Sequence, residues 1–514
     1  MFKNLSSCSY LLIILLALLI FCQNLTFASG QTAEIDDIVK SGLSEVYNFN
    51  WVLAEKSFDK IIKKYPQDPR GYLYKSLIYL WYYLGSKNKS NYDNFVFFSD
   101  TAIERAQDTL DRNPDNHDML FTVGLAYTYR AIVFTEAESY LDAAWATKKS
   151  ESYFSSLLDV DSSYYDAYLG LGIYNFVVGQ IPAAFKWALR LAGIHGEESV
   201  GIKYLKLASN KGKYTSVEAQ YYLSQIYSEV LADYNSSENL LSNLVRNYPD
   251  NLLFNYSYAS LEIKKRNLEG AKTILKKILT LKTKHFNQLI SYSDFLMGDA
   301  LFRENNFVKA SDYYLRFLAS TTKKDYAGIA AYRLGVCYEI GGDTALAKNY
   351  FYITDKGNMD IDDDIYAARR GKLLLTEGLD SLQIFVLKQE NNFEAGNFKT
   401  AHDSLAKILP SITNEDLKAK ALLFLSKSSF QLKQYEESIK TTEEIDTLNI
   451  KEETWIKPFA YYIIAQAYKK LNDKDQYQDY IDKADDADNY DYENKLKDLI
   501  YASKLQDKMK VSTK

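Results

Sequence analysis

Proline is scarce in this sequence, with seven in 514 residues. A chain with so few breakers can hold long uninterrupted helices, and its 22 glycines and 47% hydrophobic content exclude a disordered or collagen-like protein. Cysteine is scarcer still: Cys8 and Cys22 lie in or beside the N-terminal apolar segment, and Cys337 stands alone, so no intrachain disulfide forms once that segment is removed. Cys337, between Val336 and Tyr338, reads as a buried structural thiol. The four histidines, His117, His195, His285 and His402, have no partner at metal-ligand spacing, which leaves no zinc or catalytic-histidine constellation. Asp360, Asp362 and Asp364 imitate the opening of a calcium loop, but Ile365 and Gly371 occupy the positions that need Gly and Glu, so a solvated helix start is the reading. No phosphate-cradling loop, nucleophile elbow or paired-carboxylate motif occurs. The expectation is a non-enzymatic protein with no cofactor and no metal. A basic excess is also missing: 61 Lys and Arg face 67 Asp and Glu, mixed along the chain, which argues against nucleic acid as partner.

Long apolar runs are confined to one place. Lys3 and the terminal amine precede a run of thirteen apolar residues from Tyr10 to Cys22, and the small residues Ala28, Ser29 and Gly30 follow Gln23 and Asn24. The run is short for a membrane span and normal for a signal-peptide core. Residues 1–30 therefore read as a cleaved signal that leaves a formal charge of −7. Phe21 ahead of Cys22 argues against a lipoprotein. With a bacterial Ile, Lys, Asn and Tyr bias, the destination reads as exported, periplasmic or associated with the outer membrane or cell surface. A retained segment would instead tether the chain to the membrane.

What the chain has in excess is tyrosine, 44 residues, which suits half-buried helix faces and ligand grooves alike. It also has repeats. From Ala331 to Phe351 run Leu334-Gly335, Tyr338, a Gly341-Gly342-Asp343 break, Ala347 and Phe351. These offsets resemble the tetratricopeptide (TPR) pattern, with Ala331 in place of its tryptophan. Leu334, Gly335 and Tyr338 share one face of a first helix, Ala347 and Phe351 one face of a second, and the small residues let the backbones approach. Such a hairpin needs neighbours to bury its apolar faces. They follow: Gly42, Ala54 and Phe58 mark the first, Gly298, Ala310, Tyr314 and Phe317 another, and Asn267, Asn305-Asn306, Gly396-Asn397 and Asn472 fall where a helix ends in the left-handed conformation.

The fold expected is all-α, an α-α superhelix (TPR solenoid) of about ten helical hairpins after the signal peptide. Its expected parts are residues 31–213 with an extra helix near 182–193, a regular array over 214–356, and a C-terminal array over 357–514 that follows a seam at 354–379 and ends in a capping helix.

Within the first part, Gly172, Asn175, Pro182, Leu191, Gly193, Gly196, Gly201 and Leu205 form a series that resembles the signature of the inclusion-body-clearance family of TPR proteins, over roughly residues 120–260. The resemblance implies the same fold and an association with protein handling, and no catalytic residues. Projecting the repeat onto the concave side places Tyr256, Tyr292, Phe295, Asp299, Phe302, Arg303, Tyr332 and Glu339 there, with Tyr462 and Lys469 farther on. Rings interleaved with charges could anchor an extended peptide. The function expected is an exported scaffold or adaptor for protein or peptide partners in the bacterial cell envelope. A carbohydrate-binding envelope protein and a membrane-tethered assembly factor are the alternatives.

Overall fold

The computed structural model describes residues 32–181, 193–281 and 285–512, and every regular element among them is helical. The expected signal, residues 1–30, lies outside the described residues, as does the extra helix expected near 182–193 except for Gly193. The described helices pair into eleven hairpins, against the ten or so expected. Two further helices stand unpaired, Asp362–Glu377 and Glu493–Ser512. The chain divides into two compact units: the first holds residues to Gln220 plus Tyr248–Asn251, and the second holds Tyr221–Asn247 and everything from Leu252 onward.

Several hairpins are built by the same local physics. A first-helix glycine faces a second-helix ring: a methyl carbon at Gly42 would lie 2.4 Å from Phe58, at Gly298 2.9 Å from Tyr314, and at Gly335 2.6 Å from Phe351. The ring occupies the space the side chain vacates, so the two backbones close to a distance only glycine permits. Phe154 sits between Gly124 and Gly170, whose added methyl carbons would come within 2.7 and 2.1 Å of it. The turn inside four hairpins also repeats: a left-handed residue (Arg266, Asn305, Gly342, Asn472) precedes a capping residue (Asn267, Asn306, Asp343, Asp473) whose side chain accepts a backbone N–H of the second helix. At Asn267 the expectation is corrected. It is the cap, and Arg266 takes the left-handed conformation, because the side-chain carbonyl must point into the new helix.

Hydrogen bonds between equivalent places in successive hairpins stiffen each unit. In the second, Gln288 accepts from the Thr322 N–H, the Tyr292 hydroxyl donates to Asp325, and Asp364 accepts from the Ile329 N–H, across 33 to 35 residues. Asp364 also accepts from the Asn358 N–H at 2.9 Å and is fully buried, which corrects the solvated helix start expected for that acidic run. Burial raises its carboxyl, against those backbone donors. Asp416 does the same for the N–H groups of Lys451, Glu452 and Glu453 at 2.8–3.1 Å. In the first unit Asp166 holds the N–H groups of Lys213, Tyr214 and Thr215 at 2.7–3.0 Å.

At the seam expected near 354–379, the nine-residue helix Thr344–Tyr352 is followed by Asp362–Glu377, which packs on Ala327–Ile340 and has no second helix of its own. Its lack of an outer partner lets the chain turn inward, and the next helix, Ser381–Glu394, reaches back to Asn287–Arg303.

Candidate functional site

Two constellations of polar side chains are built on the inner helices, one in each unit. In the first unit Arg70 lies 2.7 Å from Asp68, 3.2 Å from Asp36 and 3.9 Å from Asp118, while Asp36 accepts from the Tyr214 hydroxyl at 2.6 Å and pairs with Lys213. This ties the start of the first hairpin to the end of the fourth. Deeper in, Glu218 accepts from the Tyr129 hydroxyl at 3.1 Å, beside Tyr47. Burial pushes the Glu218 carboxyl up to about 7.

The sign of that shift sets a pH dependence. A carboxyl raised in the fold costs nothing below the ordinary glutamate range, where it is protonated folded or unfolded. The cost develops as pH rises from about 4.5 through about 7 and stays in full above it. Glu218→Gln is therefore expected to stabilise the protein by about 2 kcal/mol at pH 8 and to change little at pH 4. Urea titrations at the two pH values check it, and equal shifts at both would show that burial of the charge is not the cause.

In the second unit the structure gathers most of the residues expected to line a groove. Phe295 is 8% exposed and stacks on Tyr326 at 5.2 Å, Phe302 is 5% exposed against Phe307 at 5.3 Å, and Asp299 is 4% exposed. These three lie in packed interior, where Tyr314 and Phe307 of their own hairpin and Tyr326 and Arg333 of the next pack on them. Asp299 pairs with Arg303 at 2.9 Å and with Arg333. Burial opposes its ionisation, but the two guanidinium groups outweigh it and hold the carboxyl below its usual range. Arg303 also reaches Glu394 at 3.3 Å. Tyr292 is half-buried with its hydroxyl on Asp325 at 3.1 Å. Tyr332 is half-buried edge-on to Tyr366 at 5.9 Å, and Glu339 accepts from the Leu379 N–H at 3.5 Å. Tyr256 is half-buried, and burial raises its hydroxyl. Tyr462 is likewise half-buried. Lys469 binds Asp507 at 2.7 Å and the Ser503 hydroxyl at 3.0 Å on the terminal helix, whose Leu496, Ile500 and Leu505 are buried.

The sequence reading missed Arg333, Arg266, Lys427 and Glu394. Arg333 was within reach, since it stands 34 residues after Asp299, one repeat on. Glu394 was not, at 91 residues from Arg303. Lys427 lies 4.6 Å over the Phe424 ring, and burial, only partly offset by Glu394 and Glu390, pushes its ammonium down to about 8. Cys337 is 6% exposed, with its thiol pushed up to about 12 by burial. Among the described residues no group of His, Cys, Asp and Glu is placed to hold a metal ion, and no helix is long and apolar enough to cross a membrane.

Comparison with known proteins adds a family resemblance. The model of the Iml2/Tetratricopeptide repeat protein 39 family matches residues 134–345, so the chain is a TPR protein that resembles the inclusion-body-clearance family over that stretch. No curated protein matches it. Among solved structures, yeast Tom70 is 13% identical with 93% of this chain and 97% of that chain covered, at a TM-score of 0.23. The APC/C hetero-tetramer Cut9–Hcn1 is 13% identical with 87% and 86% covered, at a TM-score of 0.25. Repeat hairpins of this kind form a protein-interaction scaffold.

Proposed function

We propose that this tetratricopeptide-repeat chain is a non-enzymatic adaptor that is exported through its N-terminal segment and holds protein partners in the bacterial cell envelope. The observation that carries the interaction reading is the repeat-to-repeat hydrogen bonding. Asp364, Asp325, Gln288 and Asp416 lock successive hairpins in register, so side chains on many helices keep fixed mutual positions over a long surface. Preorganisation of that kind lowers the entropy lost when a partner docks. The lone apolar run ahead of Ala28 supports the export reading. A second reading, glycan binding, is favoured by large rings left exposed in the first unit: Phe97 at 60%, Tyr140 at 66% and Trp145 at 51%.

Capture from native envelope with purified residues 31–514, protein and glycan fractions analysed separately, tests both. A saturable protein partner is expected. Retention of glycan with no protein would replace the adaptor reading with the second one, and an uncleaved N-terminus on the native protein would convert the exported adaptor into a membrane-tethered one.

A further inference from the structure

The apolar core of the second unit is not continuous. One buried cluster runs from Val386 through Trp455 to Ile500 and contains no buried apolar residue before Val386. The earlier hairpins and the lone helix lie outside it, and the chain passes between the two parts at Gly378, held at φ 69°. What fastens the parts together is mostly polar, and the ion pairs that cross it run one way, with Lys427 and Lys495 of the later part also standing near Glu394. The cations come from the earlier part: Arg266, Arg303, Arg369 and Arg370. The acids come from the later part: Glu394, Glu453 and Asp491.

Glu394 lies 3.6 Å from Arg266 and 3.3 Å from Arg303. Arg369 lies 2.6 Å from Asp491, and Arg370 3.2 Å from Glu453. The Asn391 side chain donates at 2.9 Å to the Phe302 carbonyl and to Asn305. Asp362 runs the other way, accepting from Asn494 and from the Lys495 N–H at 2.9 Å. Tyr366 against Tyr492 at 5.0 Å is an aromatic contact within the same join. Burial disfavours the Glu394 charge, yet Arg266 and Arg303 hold its carboxyl below the usual range, so it stays ionised at neutral pH. A join of this composition behaves unlike a core. Ion pairs exchange partners when another carboxylate is offered, whereas an apolar contact does not.

We propose that the arginine-bearing inner face of residues 252–377 is a docking surface for an acidic segment of a protein partner, and that the acidic edge of residues 381–492 covers it in cis until such a segment competes. The inference rests on the adaptor reading and adds to it the partner's chemistry and what the partner displaces. The argument is charge complementarity: four guanidinium groups on one side are met by carboxylates that belong to a part with its own core. That part can move away with its own core intact, uncovering at the join the rings of Tyr366, Tyr492 and Phe393. The incoming segment takes the place of Glu394 against Arg266 and Arg303 first, because that pair lies farthest along the chain from Gly378 on the earlier side.

The test uses a short fluorescein-labelled polyglutamate peptide, its polyglutamine counterpart, and the full chain at low salt. Glu394→Gln with Glu453→Gln weakens the cover and is expected to bind polyglutamate about ten-fold more tightly than the wild type. Arg266→Gln with Arg303→Gln weakens the surface and is expected to bind it about ten-fold more weakly. A cover variant that binds no tighter than wild type, or equal binding of polyglutamine, overturns the proposal. Should either variant fail to fold, hydrogen exchange on the wild type decides. Added polyglutamate should speed exchange at 378–380 and 391–394 while leaving 334–337 protected, and unchanged exchange throughout overturns it. A captured envelope partner that binds both variants equally also overturns it and leaves the adaptor reading standing. Capture of no protein at all removes the adaptor reading itself.

Discussion

Gly201→Ala is expected to open the fourth hairpin and to cost about 3 kcal/mol, the upper end of what overpacking a core costs. A methyl carbon at that position would lie 2.6 Å from the backbone nitrogen of Phe176 and 2.7 Å from the carbonyl oxygen of Gly172. Where a ring is the obstacle, as at Gly335, the ring can tilt. Here backbone stands on the far side of the contact, so the helices Tyr168–Gln180 and Glu198–Lys211 have to separate. Gly341→Ala is the control. Its nearest neighbour would be the Cys337 carbonyl oxygen at 3.3 Å, and its φ is negative, so a change within about 0.5 kcal/mol is expected. Urea titration of helical circular dichroism on both variants reads the difference. A wild-type midpoint for Gly201→Ala would mean the two helices do not approach as closely as described.

The second large effect is expected at Asp299. Asp299→Leu strands Arg333, whose carboxylate partner it is, and removes one of the two acids that hold Arg303; breaking a buried pair from one side costs about 3–5 kcal/mol. Because the folded-state carboxyl is held below its usual range, its stabilisation is present at neutral pH and lost only as pH falls through that depressed value. Replacing both partners, Asp299→Leu with Arg333→Met, is expected to recover most of the loss, since an apolar pair needs no compensation in that interior. Thermal unfolding of the two variants checks this. If the double variant were no more stable than the single one, the cost would lie in packing and not in the stranded charge.

The hairpins were legible in the sequence for a local reason. Gly335, Ala347 and Phe351 meet in the structure as their spacing requires, with Ala347 and Phe351 at 0% and 1% exposure, because the residues that build a hairpin lie within one repeat. The glycine series that resembles the inclusion-body-clearance signature was legible too, and the structure gives it a packing account. Gly172 and Gly201 face one another, Gly196 lies against Val178, and Gly193 takes φ 68°. The open groove was not legible. Projecting a regular repeat assumes that every first helix has a second helix outside it, and Asp362–Glu377 has none. One missing helix brings Glu394 onto Arg303, and a pairing across 91 residues leaves no trace in any local pattern. Phe295, Asp299 and Phe302 are interior for a nearer reason, the packing of Tyr314, Tyr326 and Arg333 from their own and the next hairpin. Asp364 was misread for a related reason: a run of acids looks solvated until the N–H groups it caps are brought to it by the preceding repeat.

The register bonds that cross 33 to 35 residues also set how the chain would respond to a pull along its axis. Most of what fastens a hairpin is a few hydrogen bonds and a packed face shared with the next one, and the longer ties are those of Asp36 to Tyr214 and of the polar join. Once the join has given way, tension applied at the C-terminus would therefore peel the array one hairpin at a time from that end. Each release would free about one repeat of chain, roughly 120 Å at about 3.5 Å per extended residue, giving an extension trace of evenly spaced teeth. The covered inner face adds a different signature. The join at Gly378 would slip first and at lower force, lengthening the molecule without unfolding any hairpin.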